Sequence, residues 1–248
     1  MGLKELIDGR IIKHNRGELL LSEASFYDIG KNFVRRIEQH KDGLNGESIY
    51  DKFPLIKDVP RSKMLFFDIE TYGVKKEAQI CSISYATISP KMNSVCLFAR
   101  GPNEESTIIN YFFDLIPYYK AFFTYNGTSF DLSRLSNRAK SNGTLVNGYK
   151  NGHLKEIIEN RHIDLYRDFA LHEWKPLAHD LKLSTVEKVI LKVFRENDIP
   201  GSKVPGVYHN YLYESGDENI EEVKRLISHN MLDTVSLVAI LAMACSNK

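Results

Sequence analysis

The alternation of apolar and polar residues divides the chain into short strands and amphipathic helices. The pattern predicts strands at residues 9–21 (two strands around a turn at 15–17), 64–70, 78–89, 94–100, 121–125 and 162–166. It predicts helices at residues 104–115, 129–140 and about 217–244. A capping box of Ser184 and Glu187 predicts a further helix start. Three consecutive strands followed by alternating helices and strands indicate an α/β fold, with a mixed sheet and helices on both faces.

A stretch rich in glycine and proline separates the first two predicted strands from the rest of the chain. It runs from Asp42 to Ser62 and has the composition of a connector. We therefore predict a boundary near Arg61, between a short β-containing N-terminal extension (1–61) and a main domain (62–248). The main domain is long enough to bury a large core of its own.

Composition and charge narrow the protein class. Of 248 residues, 43% are hydrophobic and 26% are charged, which is typical of globular proteins and excludes a collagen-like or disordered chain. Three cysteines without a CxxC pair, and a start without an apolar signal segment, predict a cytoplasmic location. The apolar run Val235–Cys245 has eleven residues, whereas a membrane-spanning helix needs about 20, so no membrane partner is expected. A net charge of +1 excludes binding to nucleic acid by overall basicity alone, but it does not exclude an enzyme that gains positive charge from bound metal.

Two acidic residues interrupt the most apolar predicted strand. Asp68 and Glu70 lie two positions apart, so strand alternation places both carboxylates on one face and Phe67 and Ile69 on the other. Carboxylates in such a setting are costly unless a cation pairs with them. The alternative is a strand face that is simply exposed to solvent.

Two further segments carry acids in a helical context. Asp131 follows the turn at Asn126–Gly127 and lies in the first turn of a predicted helix, where an aspartate also has a purely structural use at the helix dipole. His229 and Asp233 lie four apart in the last helix, about 40° apart around its axis, so both reach the same site. A single pair of this kind is also common on a surface helix.

The combination of these segments is more specific than any one of them. Four carboxylates that converge on one point form a site for two divalent cations, which activate a water and stabilise the leaving oxygen of a phosphodiester. Oxygen ligands favour Mg²⁺ or Mn²⁺ over zinc.

At these residues the chain resembles the DEDD superfamily of 3′–5′ exonucleases (DnaQ-like), which has a ribonuclease-H-like fold. FFDIET (66–71), YNGTSFD (125–131) and HNMLD (229–233) are similar to its three motifs. Within this fold the chain is most similar to the YprB-type ribonuclease-H-like group, through HIDLYRDF (162–169), LKLSTVEKVI (181–190) and RENDIPGSKVPGVYHNYL (195–212).

The resemblance implies roles for particular residues. Asp68, Glu70, Asp131 and Asp233 would be ligands of two Mg²⁺ or Mn²⁺ ions, and His229 would orient or deprotonate the attacking water. The last motif departs from the superfamily, in which one branch has Tyr four residues before the last Asp and the other has His five before it. Here the spacing is that of the first branch and the residue is that of the second.

The resemblance also implies contacts to the terminal nucleotide, from Thr71 and Tyr72 after the first motif and from Asn126 and Phe130 in the second. Phe130 either stacks on a base or packs in the core. Several basic residues near the motifs either follow the phosphates of the bound strand or are solvated: Lys75, Lys76, Arg134, Arg138 and Lys140. Asp164 is expected to position the site rather than to act in it.

The leading hypothesis is therefore a two-metal 3′–5′ exonuclease acting on the 3′ ends of single-stranded nucleic acid, with DNA favoured over RNA. Two alternatives stay open: a catalytically silent nucleic-acid-binding module of the same fold, and an RNase H-type endonuclease. The strands within residues 1–61 extend the sheet, guide the bound strand or form a homo-oligomer contact, and the sequence leaves these three roles open.

Overall fold

Residues 9–44, 52–143 and 158–246 are described by a computed structural model. Their strands form one mixed seven-stranded sheet. The strands are β1 (Arg10–His14), β2 (Gly17–Ser25), β3 (Met64–Thr71), β4 (Ile80–Thr87), β5 (Asn93–Phe98), β6 (Ala121–Thr124) and β7 (His162–Asp164). Their order across the sheet is β1-β2-β5-β4-β3-β6-β7. Only the pairs β3–β6 and β6–β7 are parallel, which confirms the predicted mixed sheet.

The N-terminal hairpin extends this sheet. β1 and β2 pair around the predicted turn, and β2 then pairs antiparallel with β5 through the register Leu20↔Phe98 and Ser22↔Cys96. Of the three roles left open for these strands, the structure shows sheet extension. The division of the chain at residue 61 stays a prediction.

Five helices of at least ten residues lie in the described part of the chain. They are α1 (Phe26–Gln39), α2 (Glu105–Leu115), α3 (Asp131–Ser141), α4 (Val204–Tyr213) and α5 (Asp217–Cys245). α2 and α3 bury apolar residues against one face of the sheet, and α1, α4 and α5 against the other. The prediction of helices on both faces is confirmed.

The alternation of side chains along β3 explains how this strand packs against the helices on both faces of the sheet. Leu65, Phe67 and Ile69 are buried in the core beneath α2 and α3. Met64 and Phe66 lie in the core formed with α1 and α5. Asp68 and Glu70 continue this second set, so their carboxylates point toward α5.

The last helix is long and apolar, yet it lies in the core. α5 has 29 residues and passes the length and hydropathy test for a membrane span, but 83% of its most apolar window is buried inside the protein. The helical turn Lys41–Leu44 packs so closely on it that a Cβ at Gly43 would lie 1.9 Å from the carbonyl oxygen of Ala242. The apolar residues of α5 are therefore accounted for by packing against the sheet and α1.

One local prediction is wrong. The helical segment that begins at Leu183 has Lys182 at its N-cap and no side-chain cap, so Ser184 does not form a capping box. Glu187, the expected partner, forms a buried ion pair with Arg195 instead. An ion pair to a buried arginine is a stronger interaction than a cap on a short, partly exposed helical turn.

Candidate active site

Three elements bring the four predicted carboxylates to one cavity of about 430 Å³. Asp68 and Glu70 come from β3, Asp131 from the start of α3, and Asp233 from α5. His229 lies beside them, with its Nε2 atom 3.4 Å from Glu70 and 3.6 Å from Asp233. Ligand atoms of Glu70, His229 and Asp233 all lie within 4.8 Å of one another. The residues singled out from the three motifs are thus neighbours in space.

Asp131 is held by the backbone of β3 and by the turn before α3. Its Oδ1 accepts a hydrogen bond from the amide of Ile69 at 3.1 Å, which ties the second motif to the first. The turn passes through Asn126, whose φ of 61° lies in the left-handed region that asparagine tolerates. At Gly127 a Cβ would lie 2.2 Å from Thr124 Oγ1, so this turn requires glycine.

Asp164 fixes that turn from the neighbouring strand. Its buried carboxylate accepts hydrogen bonds from the amides of Asn126 at 2.7 Å and Thr128 at 3.0 Å. It also accepts from the amides of Tyr166 and Arg167 at the start of the next helical segment. This agrees with the positioning role expected for Asp164.

Asn230 holds Asp68, and although it lies within the third motif, sequence reasoning assigned it no role. The Asn230 side chain is fully buried, and its amide donates to Asp68 Oδ2 at 2.7 Å. Its carbonyl oxygen accepts from the hydroxyl groups of Ser82 and Ser84, each at 2.8 Å. Because an ionised carboxylate only accepts hydrogen bonds, the NH₂ group faces Asp68, and the amide oxygen faces the two hydroxyl groups, which donate to it.

A second group of residues supports Asp233 and His229, and sequence reasoning also missed it. Arg195 donates to Asp233 Oδ1 at 2.5 Å and forms a two-pronged ion pair with Glu187. Asp198 accepts from His229 Nδ1 at 2.7 Å. Arg195 and Asp198 lie in the segment that carried part of the family resemblance, which was the available signal, but the sequence does not show which site residues they contact.

The electrostatics of the cavity reflect the crowding of acids. Burial, followed by the charges of Asp233, Asp131 and Glu70, raises the pKa of Asp68 well above its usual range. Burial raises the pKa of Asp131 to about 7 and also raises the pKa of Glu70. For His229 burial acts in the opposite direction, but Asp233, Asp198 and Glu70 outweigh it and raise the pKa to about 11. The cavity therefore favours bound positive charge.

Comparison with known proteins places this geometry in a family. Residues 65–245 match the family model of the RNase_H superfamily. The chain belongs to the RNase_H superfamily. The matched range contains all five residues of the acidic site. The ribonuclease-H-like fold implied by the motifs is confirmed, and the narrower assignment to DEDD 3′–5′ exonucleases stays a prediction.

Two relatives illustrate the breadth of this similarity. The protein YprB of Bacillus subtilis (strain 168) is 26% identical over 187 residues, which cover 74% of this chain and 42% of YprB. The structure of the family B DNA polymerase of Pyrobaculum calidifontis superimposes with a TM-score of 0.54 at 20% identity, over 72% of this chain and 24% of the polymerase. The chain thus spans less than half of either relative, and the polymerase supports the fold alone.

The residues of this RNase_H-superfamily site fit divalent cations. RNase H-like nucleases generally use divalent metal ions. Four carboxylates around one cavity supply the hard oxygen donors that Mg²⁺ and Mn²⁺ prefer. Burial and neighbouring acids raise the pKa values of Asp68 and Asp131, and bound divalent cations would oppose both shifts by stabilising the ionised carboxylates.

Of the four residues expected to touch the terminal nucleotide, three lie at the cavity and one lies away from it. Thr71, Asn126 and Phe130 line the cavity together with the carboxylates. Tyr72 is not among the lining residues, because it turns toward α4 and its hydroxyl lies 2.5 Å from Nδ1 of His209. The predicted role of Tyr72 therefore lacks the proximity to the acids that the other three residues have.

Two of the basic residues near the motifs are used inside the protein. Arg138 forms two hydrogen bonds to the buried Glu105, at 2.7 and 2.5 Å. Arg134 lies over the ring of Phe130, with its guanidinium carbon 3.4 Å from the ring centroid. Arg138 thus has a structural role in the described fold, and one face of Phe130 is already covered by a cation. Lys75, Lys76 and Lys140 are exposed.

Proposed function

We propose that the protein is a metal-dependent 3′–5′ exonuclease that hydrolyses phosphodiester bonds from the 3′ end of single-stranded nucleic acid. The observation that supports this function best is the convergence of Asp68, Glu70, Asp131 and Asp233 on one cavity. Membership of the RNase_H superfamily supports a nuclease more generally. We propose DNA rather than RNA as the preferred substrate, and the assay below compares the two directly.

The four carboxylates would hold two Mg²⁺ or Mn²⁺ ions. When bound, such a pair activates a water and stabilises the 3′ oxygen that leaves. Asp131 and Asp68, which both line the cavity, are each held through one carboxylate oxygen by hydrogen bonds from Ile69 and Asn230. Preorganised ligands of this kind reduce the cost of assembling the reactive geometry.

His229 is placed to handle the attacking water through Nε2. With its pKa raised to about 11, the ring carries a proton on Nε2 at neutral pH in the ion-free site and acts as a donor. His229 could accept a proton from water only with the charges of Glu70 and Asp233 neutralised, since these carboxylates raise its pKa. In its protonated form His229 would orient the water by donating a hydrogen bond.

A degradation assay tests the function. Single-stranded DNA and RNA with a 5′ label are incubated with the protein and Mg²⁺ or Mn²⁺, and stepwise shortening from the 3′ end is expected. Asp68→Asn and Asp131→Asn should abolish cleavage without unfolding the protein, because they remove a ligand charge and keep the side-chain shape. Asp114→Asn is the matched control, since Asp114 is exposed and bound to His14 at the far side of the fold. Cleavage that survives either site substitution contradicts the mechanism.

The same proteins distinguish the two alternatives. An RNase H-type endonuclease cuts circular single-stranded substrate, whereas a 3′–5′ exonuclease leaves the circle intact. A binding module without catalysis leaves all substrates intact, and titration calorimetry then shows no Mn²⁺ binding. The presence of all four carboxylates in one cavity favours the exonuclease over the silent module.

A further inference from the structure

Arg195 lies next to the cavity, where its buried side chain needs several hydrogen-bond and charge partners. Its side chain is 6% exposed and contacts the carboxylates of Glu187, Asp198 and Asp233. A buried guanidinium is costly unless its charge and its N–H groups are matched. Here one cation faces three acids, so a simple neutral pair does not describe the arrangement.

The pair with Glu187 anchors the guanidinium. Nε of Arg195 donates to Glu187 Oε2 at 3.0 Å, and a terminal N–H contacts Oε1. Ser236 Oγ on α5 donates to the same Oε1 at 2.6 Å. Glu187 is 3% exposed and does not line the cavity. Two parallel contacts to one carboxylate fix the plane of an arginine fork, and the remaining N–H groups then point in defined directions.

These N–H groups point toward Asp233 and toward Asp198, which contacts His229. Asp233 and His229 are the two residues that α5 contributes to the site. Nη2 donates to Asp233 Oδ1 at 2.5 Å, so Oδ2, which lies 3.6 Å from His229 Nε2, is the oxygen that Arg195 leaves unbound. Nη1 lies 3.6 Å from Asp198, and Asp198 in turn accepts from His229 Nδ1 at 2.7 Å. With Nδ1 occupied, Nε2 is the ring nitrogen that faces Glu70.

We propose that Arg195 and Asp198 are positioning residues that decide which oxygen of Asp233 and which nitrogen of His229 are available in the cavity. The inference rests on the proposed function, because it assigns the effect of these residues to cation binding and to the water. Lysine cannot replace Arg195 in this role, since a single ammonium group cannot hold Glu187 in two contacts and reach Asp233 in a fixed direction.

The test compares four variants of the full chain. Arg195→Lys keeps the charge but removes the fork. Asp198→Ala removes the acceptor of His229, and Asp198→Asn keeps an oxygen that accepts from Nδ1. Arg225→Lys is the control, because Arg225 is exposed and pairs with Glu222 on α5. Measurements are Mn²⁺ affinity by calorimetry, kcat and KM on single-stranded DNA, melting temperature, and the NMR signal of the His229 Nδ1 proton.

Distinct losses are expected. Arg195→Lys should weaken Mn²⁺ binding by about 10–100-fold, as is usual when a partner of a metal ligand is lost. Asp198→Ala should lower kcat by about 10–100-fold with KM within about twofold, and Asp198→Asn should recover part of that loss. The Nδ1 proton signal should be protected in the unaltered protein and lost in Asp198→Ala. The control should match the unaltered protein throughout.

Three outcomes overturn the proposal: unchanged Mn²⁺ affinity in Arg195→Lys, unchanged kcat in Asp198→Ala, or a retained Nδ1 signal in Asp198→Ala. The Asp198 side chain is 25% exposed, so its variants keep the test valid if Arg195→Lys unfolds. If the unaltered protein neither binds Mn²⁺ nor cleaves, the proposed function fails. The NMR signal still tests the contact between Asp198 and His229 in that case.

Discussion

Replacement of Asn230 by alanine should destabilise the fold and disorder Asp68 at the same time. Asn230 lies on α5 and bridges β3 and β4 through three hydrogen bonds, one to Asp68 and one each to Ser82 and Ser84. Its side chain is 0% exposed, so water does not replace the lost partners in the folded protein. The variant leaves an oxygen of Asp68 without its donor and the buried hydroxyl groups of Ser82 and Ser84 without their acceptor.

The size of the effect follows from these contacts. A buried hydrogen bond contributes about 0.5–1.5 kcal/mol, and one to a charged group about 1.5–3 kcal/mol. With the small cavity left by the side chain, Asn230→Ala should lower the free energy of unfolding by about 3–5 kcal/mol. Ser84→Ala removes one donor to an oxygen that keeps its bond to Ser82, so it should cost only about 0.5–1.5 kcal/mol.

Urea unfolding at neutral pH, followed by circular dichroism, measures both differences. Ser84→Ala is the matched control because it alters the same network without touching Asp68. An Asn230→Ala protein within about 1 kcal/mol of the unaltered protein would refute the reasoning, since the network would then be dispensable. In the same variant Mn²⁺ affinity should fall, because Asp68 is no longer held by the amide that fixes one of its oxygens.

Two further predictions concern Gly127, in the turn before Asp131, and His162, in β7. Gly127→Ala should destabilise the protein by about 1–3 kcal/mol and abolish cleavage, because the new Cβ would lie 2.2 Å from Thr124 Oγ1. Melting temperature and cleavage activity measure the two effects, and a variant that matches the unaltered protein in both contradicts the prediction. Burial lowers the pKa of His162, so below about pH 6.5 the unfolded chain takes up a proton before the folded one and stability falls. The decrease in the free energy of unfolding from pH 6.5 to 5 should therefore be smaller in His162→Gln than in the unaltered protein. An equal decrease in these two proteins would show that the His162 ring contributes nothing to the pH dependence of stability.

The main sheet and the acidic residues of the site could be predicted from the sequence because each depends on a local pattern. The strand β3 is an apolar run, and its period of two assigns both carboxylates to one face. α5 has an apolar pattern maintained over most of its 29 residues. The order of the motifs then predicts that their acidic residues converge in space, because strands and helices in a given sequence order have few ways to pack.

The helix α1 was not predicted, although its sequence carries a helical signal. The apolar residues Phe26, Ile29, Phe33 and Ile37 recur at spacings of three and four, and Ser25 caps the helix by accepting from the amide of Asp28. Gly30 has non-helical backbone angles and interrupts the helix after its first turn. Packing on α5, where Gly30 lies against Leu232, stabilises the helix across this interruption.

The supporting residues were beyond sequence reasoning because their contacts are long-range. Asn230 is 162 positions from Asp68, and Arg195 is 38 positions from Asp233. Asparagine and arginine are ordinary surface residues in most proteins, so neither type indicates a buried role by itself. Only the fold shows that these side chains end on site carboxylates.

The polar residues of α5 couple the stability of the fold to its function. His229, Asp233 and Ser236 lie within about 60° around the helix axis, and Asn230 lies beside them. In the buried part of the helix each is costly unless it has a partner, and the partners are, in chain order, Asp68, Glu187, Arg195 and Asp198. The contacts that hold α5 against the sheet therefore also orient the residues that face the cavity. Substitutions at these four positions of α5 should lower stability and activity together, whereas substitutions of Asp198, at the edge of the network, can separate the two effects.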